Sequence, residues 1–310
     1  MPSKRTFTKP ALTLDEQIAL LKSRGLAIQC EEEARNFLKT VSYYRLSAYT
    51  FYYEKKNPDN SRSHSFYTGK TFTEVKELYI FDSKLRRLFW EAIERIEIAF
   101  RSSLTYHLSI LYNPHWYTDK DLFVPRFDHA DFIEKFKKDS GFSFNPQDDK
   151  RMGGEVFINH YYTTYDTPQL PPGWMACEII PLGRLSRVYS SLKEYSDQKL
   201  IARDFGLNSQ VFVSWMRSLS YMRNLCAHYC RIWNRNFNVN QPANSKHLGI
   251  IFNPQDRIYS YIAICAILLK RIDARTKWTT RIRSLLNDYP NISRDSMGFR
   301  EGWEYEDFWK

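Results

Sequence analysis

Apolar residues recur every three or four positions along most of the chain, and strict alternation is rare. The pattern predicts a series of helices. Thr13 opens one over residues 14–24, which Gly25 closes, and a second covers 31–40 with Glu32 and Glu33 at its start, where the helix dipole favours them. The run Ser-Tyr-Tyr-Arg-Leu-Ser-Ala-Tyr follows at 42–49, and residues 57–69 are polar and loop-like. Thr73 is expected to cap a long helix reaching about Leu111. Its buried stripe is Val75, Leu78, Phe81, Leu85, Leu88, Ala92, Ile96, Ala99 and Leu104. Its other face carries two i,i+4 pairs, Arg87–Glu91 and Glu97–Arg101, which fit a solvated surface.

Residues 113–172 are irregular, with helical pieces around 131–138 and 155–162; connections this long are often functional. Helical spacing returns at 174–180, 182–192 and Asp197–Phe205, the last closed by Gly206. Ser209 is expected to cap a helix to about Asn234, and a final helix covers 255–286. The fold class expected is all-α: a helical bundle with a long irregular insertion at 113–172.

Composition adds a partner class. Of 310 residues, 43% are hydrophobic and 26% charged, which excludes general disorder. Lys and Arg number 45 against 35 Asp and Glu, a net charge of +10, and such an excess fits a polyanion, RNA or DNA before a membrane surface. The 21 Phe, 21 Tyr and 8 Trp fill a core or, beside cations, stack on bases. Five cysteines without framework spacing (Cys30, Cys177, Cys226, Cys230, Cys265) fit a reducing cytoplasm. The longest apolar run, 261–269, is nine residues, against about 20 for a membrane span. A soluble cytoplasmic protein without membrane contact is expected.

The chemistry concentrates in residues 223–235, Arg-Asn-Leu-Cys-Ala-His-Tyr-Cys-Arg-Ile-Trp-Asn-Arg. On a continuous helix, Trp215, Leu219, Met222, Cys226, Tyr229 and Trp233 form a core stripe. Asn224, His228, Arg231 and Arg235 then make one polar edge, with Arg223 one position round. Phosphodiester cleavage through a 2′-hydroxyl needs a proton carrier near neutrality and fixed positive charge for the phosphoryl oxygens. Histidine and arginine supply them. Asn224, one turn before His228, is positioned to orient the imidazole. This route needs no metal and no cofactor. The same spacing also fits a surface anion site or a core histidine, and Cys226 and Cys230 flanking His228 raise a zinc site as a weaker alternative.

The Arg223-x4-His228 pattern, with Asn224 directly after the arginine, resembles the signature of HEPN-type ribonucleases. The extension 229–235 narrows the resemblance to the Abi-type abortive-infection proteins of bacteria, the AbiD/AbiF group. Further segments agree: 43–47, Asp82–Arg101 with its Glu94-Arg95-Ile96-Glu97 centre, Glu155–Tyr165, Pro172-Gly173-Trp174 with Glu178, and Leu182-Gly183-Arg184-Leu185-Ser186. The resemblance covers about residues 14–290, which makes the rest (1–13 and 291–310) tails of one HEPN-like domain. It implies a metal-independent endoribonuclease toxin of phage defence, with His228 as acid/base, Arg223 as phosphate clamp and Asn224 as orienter. It also implies a homodimer and an antitoxin, protein or a small structured noncoding RNA. The alternative it leaves is a non-catalytic dimeric protein that holds such an RNA. Arg231, Arg235, Lys270, Arg271, Arg275, Lys277 and Arg281 are the expected RNA contacts, joined by Arg283 and the tail residues Lys4, Arg5 and Lys9. Arg101-x5-His107 lies on the long helix and is expected to be structural.

Overall fold

The computed structural model describes residues 6–59, 61–142 and 154–310; Lys4 and Arg5 lie outside them. The fold is mostly helical, with one small two-stranded sheet among the described residues. The chain divides into two compact units, residues 1–85 with 285–292, and residues 86–284 with 293–310.

In the first unit, α1 (Leu14–Ser23) starts at a capping box. Thr13 accepts from the Glu16 N–H, and the Glu16 carboxylate accepts from the Thr13 N–H at 2.7 Å. α2 (Glu31–Val41) and α3 (Tyr43–Thr50) follow, and Leu21, Leu38, Leu46 and Tyr49 are buried. The expected loop at 57–69 is instead half of a hairpin, β1 (Glu54–Lys56) against β2 (Arg62–Phe66). Its signal was masked because the anchor is polar. Glu54 is buried and ion-paired to Arg62. Burial opposes the charge on Glu54, and the Arg62 hydrogen bonds and charge outweigh it, holding the carboxyl below its usual range. Thr71 rather than Thr73 caps α4 (Phe72–Leu111), because it shares a capping box with Glu74. In this unit, buried Asp82 of α4 accepts from the Tyr49 hydroxyl at 2.7 Å.

The second unit contains α4 from Arg86 onward. Then come α5 (His129–Asp139), α6 (Val156–Thr164), α7 (Gly173–Ile179), α8 (Leu182–Ser190), α9 (Tyr195–Asp204), α10 (Ser209–Ala227), α11 (Ile258–Ile272) and the start of α12 (Trp278–Asp288). Asn208, not Ser209, caps α10, its side chain accepting from the Val211 N–H at 2.9 Å. The α4 stripe Phe89, Ala92, Ile96, Phe100, Leu104 and Leu108 is buried. Phe100 meets Tyr189 of α8 and Phe212 of α10 edge to face, with ring centres 5.7 and 5.6 Å apart. α11 is buried without interruption from Ile258 to Leu269, which is why its sequence shows no polar face. The single final helix expected over 255–286 is two helices. Asp273 ends α11, bonded by Arg95 at 3.1 Å and by the Arg275 and Thr276 N–H groups. The C-terminal residues pack Phe299, Trp303, Phe308 and Trp309 about Tyr259 of α11.

Candidate functional site

α10 carries the motif on a well-seated helix. Trp215, Leu219, Met222 and Cys226 are buried, as their spacing predicts. α8 comes close because it has Gly183. A Cβ there would stand 2.7 Å from the Ser220 hydroxyl of α10.

The helix ends at Ala227, which corrects the expected continuous edge of Asn224, His228, Arg231 and Arg235. His228 is the C-cap, and Tyr229 turns to a φ of +55°. The Tyr229 N–H bonds the Cys226 carbonyl at 3.0 Å, and the Cys230 N–H bonds the Leu225 carbonyl at 2.9 Å. These two bonds close the helix in a Schellman turn. Beyond it the chain is drawn into the core at Ile232 and Trp233. Arg86 donates to the Cys230 carbonyl at 3.3 Å, and Arg257 donates to the Asn234 side chain at 3.2 Å. The turn is thus braced on both sides. Tyr229, expected in the core stripe, is 67% exposed.

The motif residues separate. His228 and Asn224 are exposed, and the bond between them is main chain to main chain, the His228 N–H to the Asn224 carbonyl at 3.0 Å. Arg223 leans toward α4 instead. Its guanidinium lies over the Trp90 ring, 5.4 Å from the centre, an attractive cation–π contact. Both line a cavity of about 270 Å³ with Glu94, Glu97, Ile98 and Arg101. At 100° per residue, Arg223 and His228 are roughly 140° apart around the helix. No contact joins the two, and no carboxylate pairs with either, among the described residues.

The outlying arginines are partly occupied. Arg235 donates to the Arg231 carbonyl at 3.5 Å and to the Tyr221 hydroxyl at 3.3 Å, so it ties the loop to α10. Arg231 is half-buried. Lys270 bonds the carbonyls of Asp307 and Lys310, Arg281 pairs with Glu91, and Arg283 packs on Trp303 and Trp309. Glu91 therefore answers Arg281 across the fold, where the sequence pointed to Arg87. Arg271 lines a cavity of about 590 Å³ with Arg300, Tyr259 and Phe308. Arg275 and Lys277 are exposed.

Cys226 lies in the core and His228 on the surface, so the two share no face. Burial pushes the Cys265 thiol well up, and nearby Cys226 adds to that shift. Among the described residues no group of three His, Cys, Asp or Glu comes together to hold a metal ion, and no helix is long and apolar enough to cross a membrane.

Sequence reasoning missed the outer row of α4. Trp90, Glu94, Ile98, Ser102, Tyr106 and Ile110 recur every fourth position and are all exposed. Four of the six are large apolar groups on a face read as charged. The signal was present in that four-residue spacing.

A model of the Abi-like protein family matches residues 36–234, which includes α10 and the turn after it. No curated protein and no solved structure matches the chain.

Proposed function

The chain belongs to the Abi-like protein family, and from that premise we propose that it serves bacterial abortive infection, a defence against phage, as a metal-independent endoribonuclease of the HEPN type. The observation that carries the reading is Arg223-x4-His228 at the end of α10, with His228 exposed on a braced helix cap and Arg223 held on Trp90.

His228 moves the proton between the RNA 2′-hydroxyl, the nucleophile, and the leaving 5′-oxygen. Arg223 stabilises the charge that gathers on the phosphoryl oxygens. Asn224 stands one turn before His228 and orients it. The supporting chemistry is general: imidazole titrates near neutrality, and guanidinium stays charged. The +10 charge favours an RNA partner. Arg275 and Lys277, both exposed, are the candidates for its wider footprint. Arg235, Lys270 and Arg281 already bond other parts of the chain, and Arg271 lines a cavity.

A homodimer is part of the proposal. The separation of Arg223 from His228 within one chain favours a site completed by a second copy. The exposed row on α4 offers the surface, since it joins Trp90, Ile98, Tyr106 and Ile110 to both signs of charge, Glu94 and the neighbouring Arg223. A cytoplasmic location and an antitoxin complete the reading. The same separation favours a second reading, in which the protein holds a structured noncoding RNA without cutting it.

The test is cleavage of RNA in EDTA by the purified chain and by His228→Ala. Products ending in 2′,3′-cyclic phosphate that vanish in the variant support the nuclease. A discrete, intact bound RNA with no cleavage supports the second reading instead.

A further inference from the structure

Tyr229 occupies a conformation that its own side chain disfavours. It is the residue just past the α10 C-cap, at a φ of +55°, and the Tyr229 and Cys230 N–H groups close the Schellman turn. That position favours glycine, because a Cβ crowds the following carbonyl in the left-handed region. Five non-glycine residues among those described have positive φ: Ser42, His64, Tyr229, Asn234 and Asn240. Asparagine tolerates the region. Tyr229 instead places a large aromatic residue there, and it is 67% exposed.

Strain of this kind persists where the surroundings enforce it and is concentrated at functional sites. The surroundings here do enforce it. Arg86 bonds the next carbonyl at 3.3 Å, and Ile232 and Trp233 anchor the following residues in the core. The result is a backbone held in place that presents the exposed Tyr229 directly beside His228.

We propose that Tyr229 is a stacking platform for an unpaired base of the RNA, adjacent to the phosphate at which His228 acts. The inference rests on the ribonuclease reading above and adds a recognition residue to that same site. Every base has a π-face, so the platform selects for strand state more than for sequence. A duplex keeps its bases stacked on one another and presents none to the ring. The substrate favoured is therefore an unpaired strand or loop.

The experiment compares full-length His228→Ala, which keeps the RNA intact, with the same chain carrying Tyr229→Phe, Tyr229→Ala or Tyr229→Gly. Binding of an unpaired oligoribonucleotide and of its duplex is read by fluorescence anisotropy. The alanine and glycine variants should bind the unpaired strand about tenfold more weakly, and phenylalanine, which keeps the ring, should rescue binding to within about twofold. Duplex binding should be the same in all four. Tyr229→Gly should also melt about 1–3 °C higher, because it relieves the left-handed strain. Unchanged affinity of the alanine and glycine variants for the unpaired strand overturns the proposal. A lower melting temperature in Tyr229→Gly overturns it too, since the ring would then be structural. The parent chain with His228 intact is assayed in parallel for cleavage. If it leaves the RNA whole, the ribonuclease reading fails separately from the stacking role.

Discussion

Two segments of this chain place a histidine five or six residues after an arginine, and the fold treats them in opposite ways. Arg101 and His107 lie on α4 and are tied inward. The Arg101 side chain is 16% exposed; it pairs with Glu97 and donates to Glu178 Oε2 at 3.2 Å and to the carbonyls of Glu178 and Ile180 at 2.7 and 3.2 Å. His107 stands 2.8 Å from Asp204, which also accepts from Ser103 at 2.7 Å. Arg223 and His228 form no ion pair with a carboxylate among the described residues; one rests on Trp90, in a cavity it shares with Glu94 and Glu97, and the other is exposed at a helix end. Spacing alone does not separate the pairs. What separates them is whether the fold has already paired them with carboxylates, as it has Arg101 with Glu97 and Glu178 and His107 with Asp204, because a paired group holds structure and an unpaired one is open to a ligand.

The largest effect that sharpens this contrast is on cleavage. His228→Ala and Arg223→Ala should each reduce RNA cleavage by about 10³-fold, with melting temperatures within about 2 °C of the parent. Arg101→Ala should do the reverse. It strands Glu97 without its partner, which costs about 2–3 kcal/mol. A thermal melt should fall by several degrees while cleavage in the folded chain stays within about threefold. Equal losses of cleavage at Arg101 and Arg223 would break the contrast. Next in size is assembly: Ile98→Glu on the outer row of α4 should convert a dimer to monomers, read by light scattering after gel filtration, with cleavage falling in step. The smallest effects concern the C-terminal cations. Arg275→Ala should lower the salt slope of RNA binding by about one. Arg281→Ala loses the exposed pair with Glu91, which changes stability by less than about 1 kcal/mol, and leaves the slope near its original value.

Much of the fold was legible because local chemistry agreed with the final structure. The Thr13–Glu16 capping box, the α4 stripe and the apolar run of α11 each carry their signal within a few residues. The errors came where distant contacts decide an end. Nothing local stops α10 at Ala227, and Tyr229 and Trp233 continue its apolar spacing by accident. The burial of Trp233 and the bond from Arg86 to the Cys230 carbonyl turn the chain there. Likewise Arg95 of α4 holds Asp273 at the break between α11 and α12, where no proline or glycine marks a stop. At the candidate site, the spacing that makes Arg223, Asn224 and His228 candidates was readable. Their separation was not, because it follows from the helix end and from Trp90, more than 130 residues earlier in the chain.

In the function proposed above, Arg223 and the exposed His228 at the end of α10 cut RNA through its 2′-hydroxyl. The most direct measurement is end analysis of an unpaired RNA incubated with the purified chain in EDTA, beside His228→Ala. The expected result is fragments with 2′,3′-cyclic phosphate and 5′-hydroxyl ends from the parent and intact RNA from the variant. Cleavage that persists in His228→Ala, or that EDTA abolishes, would contradict it.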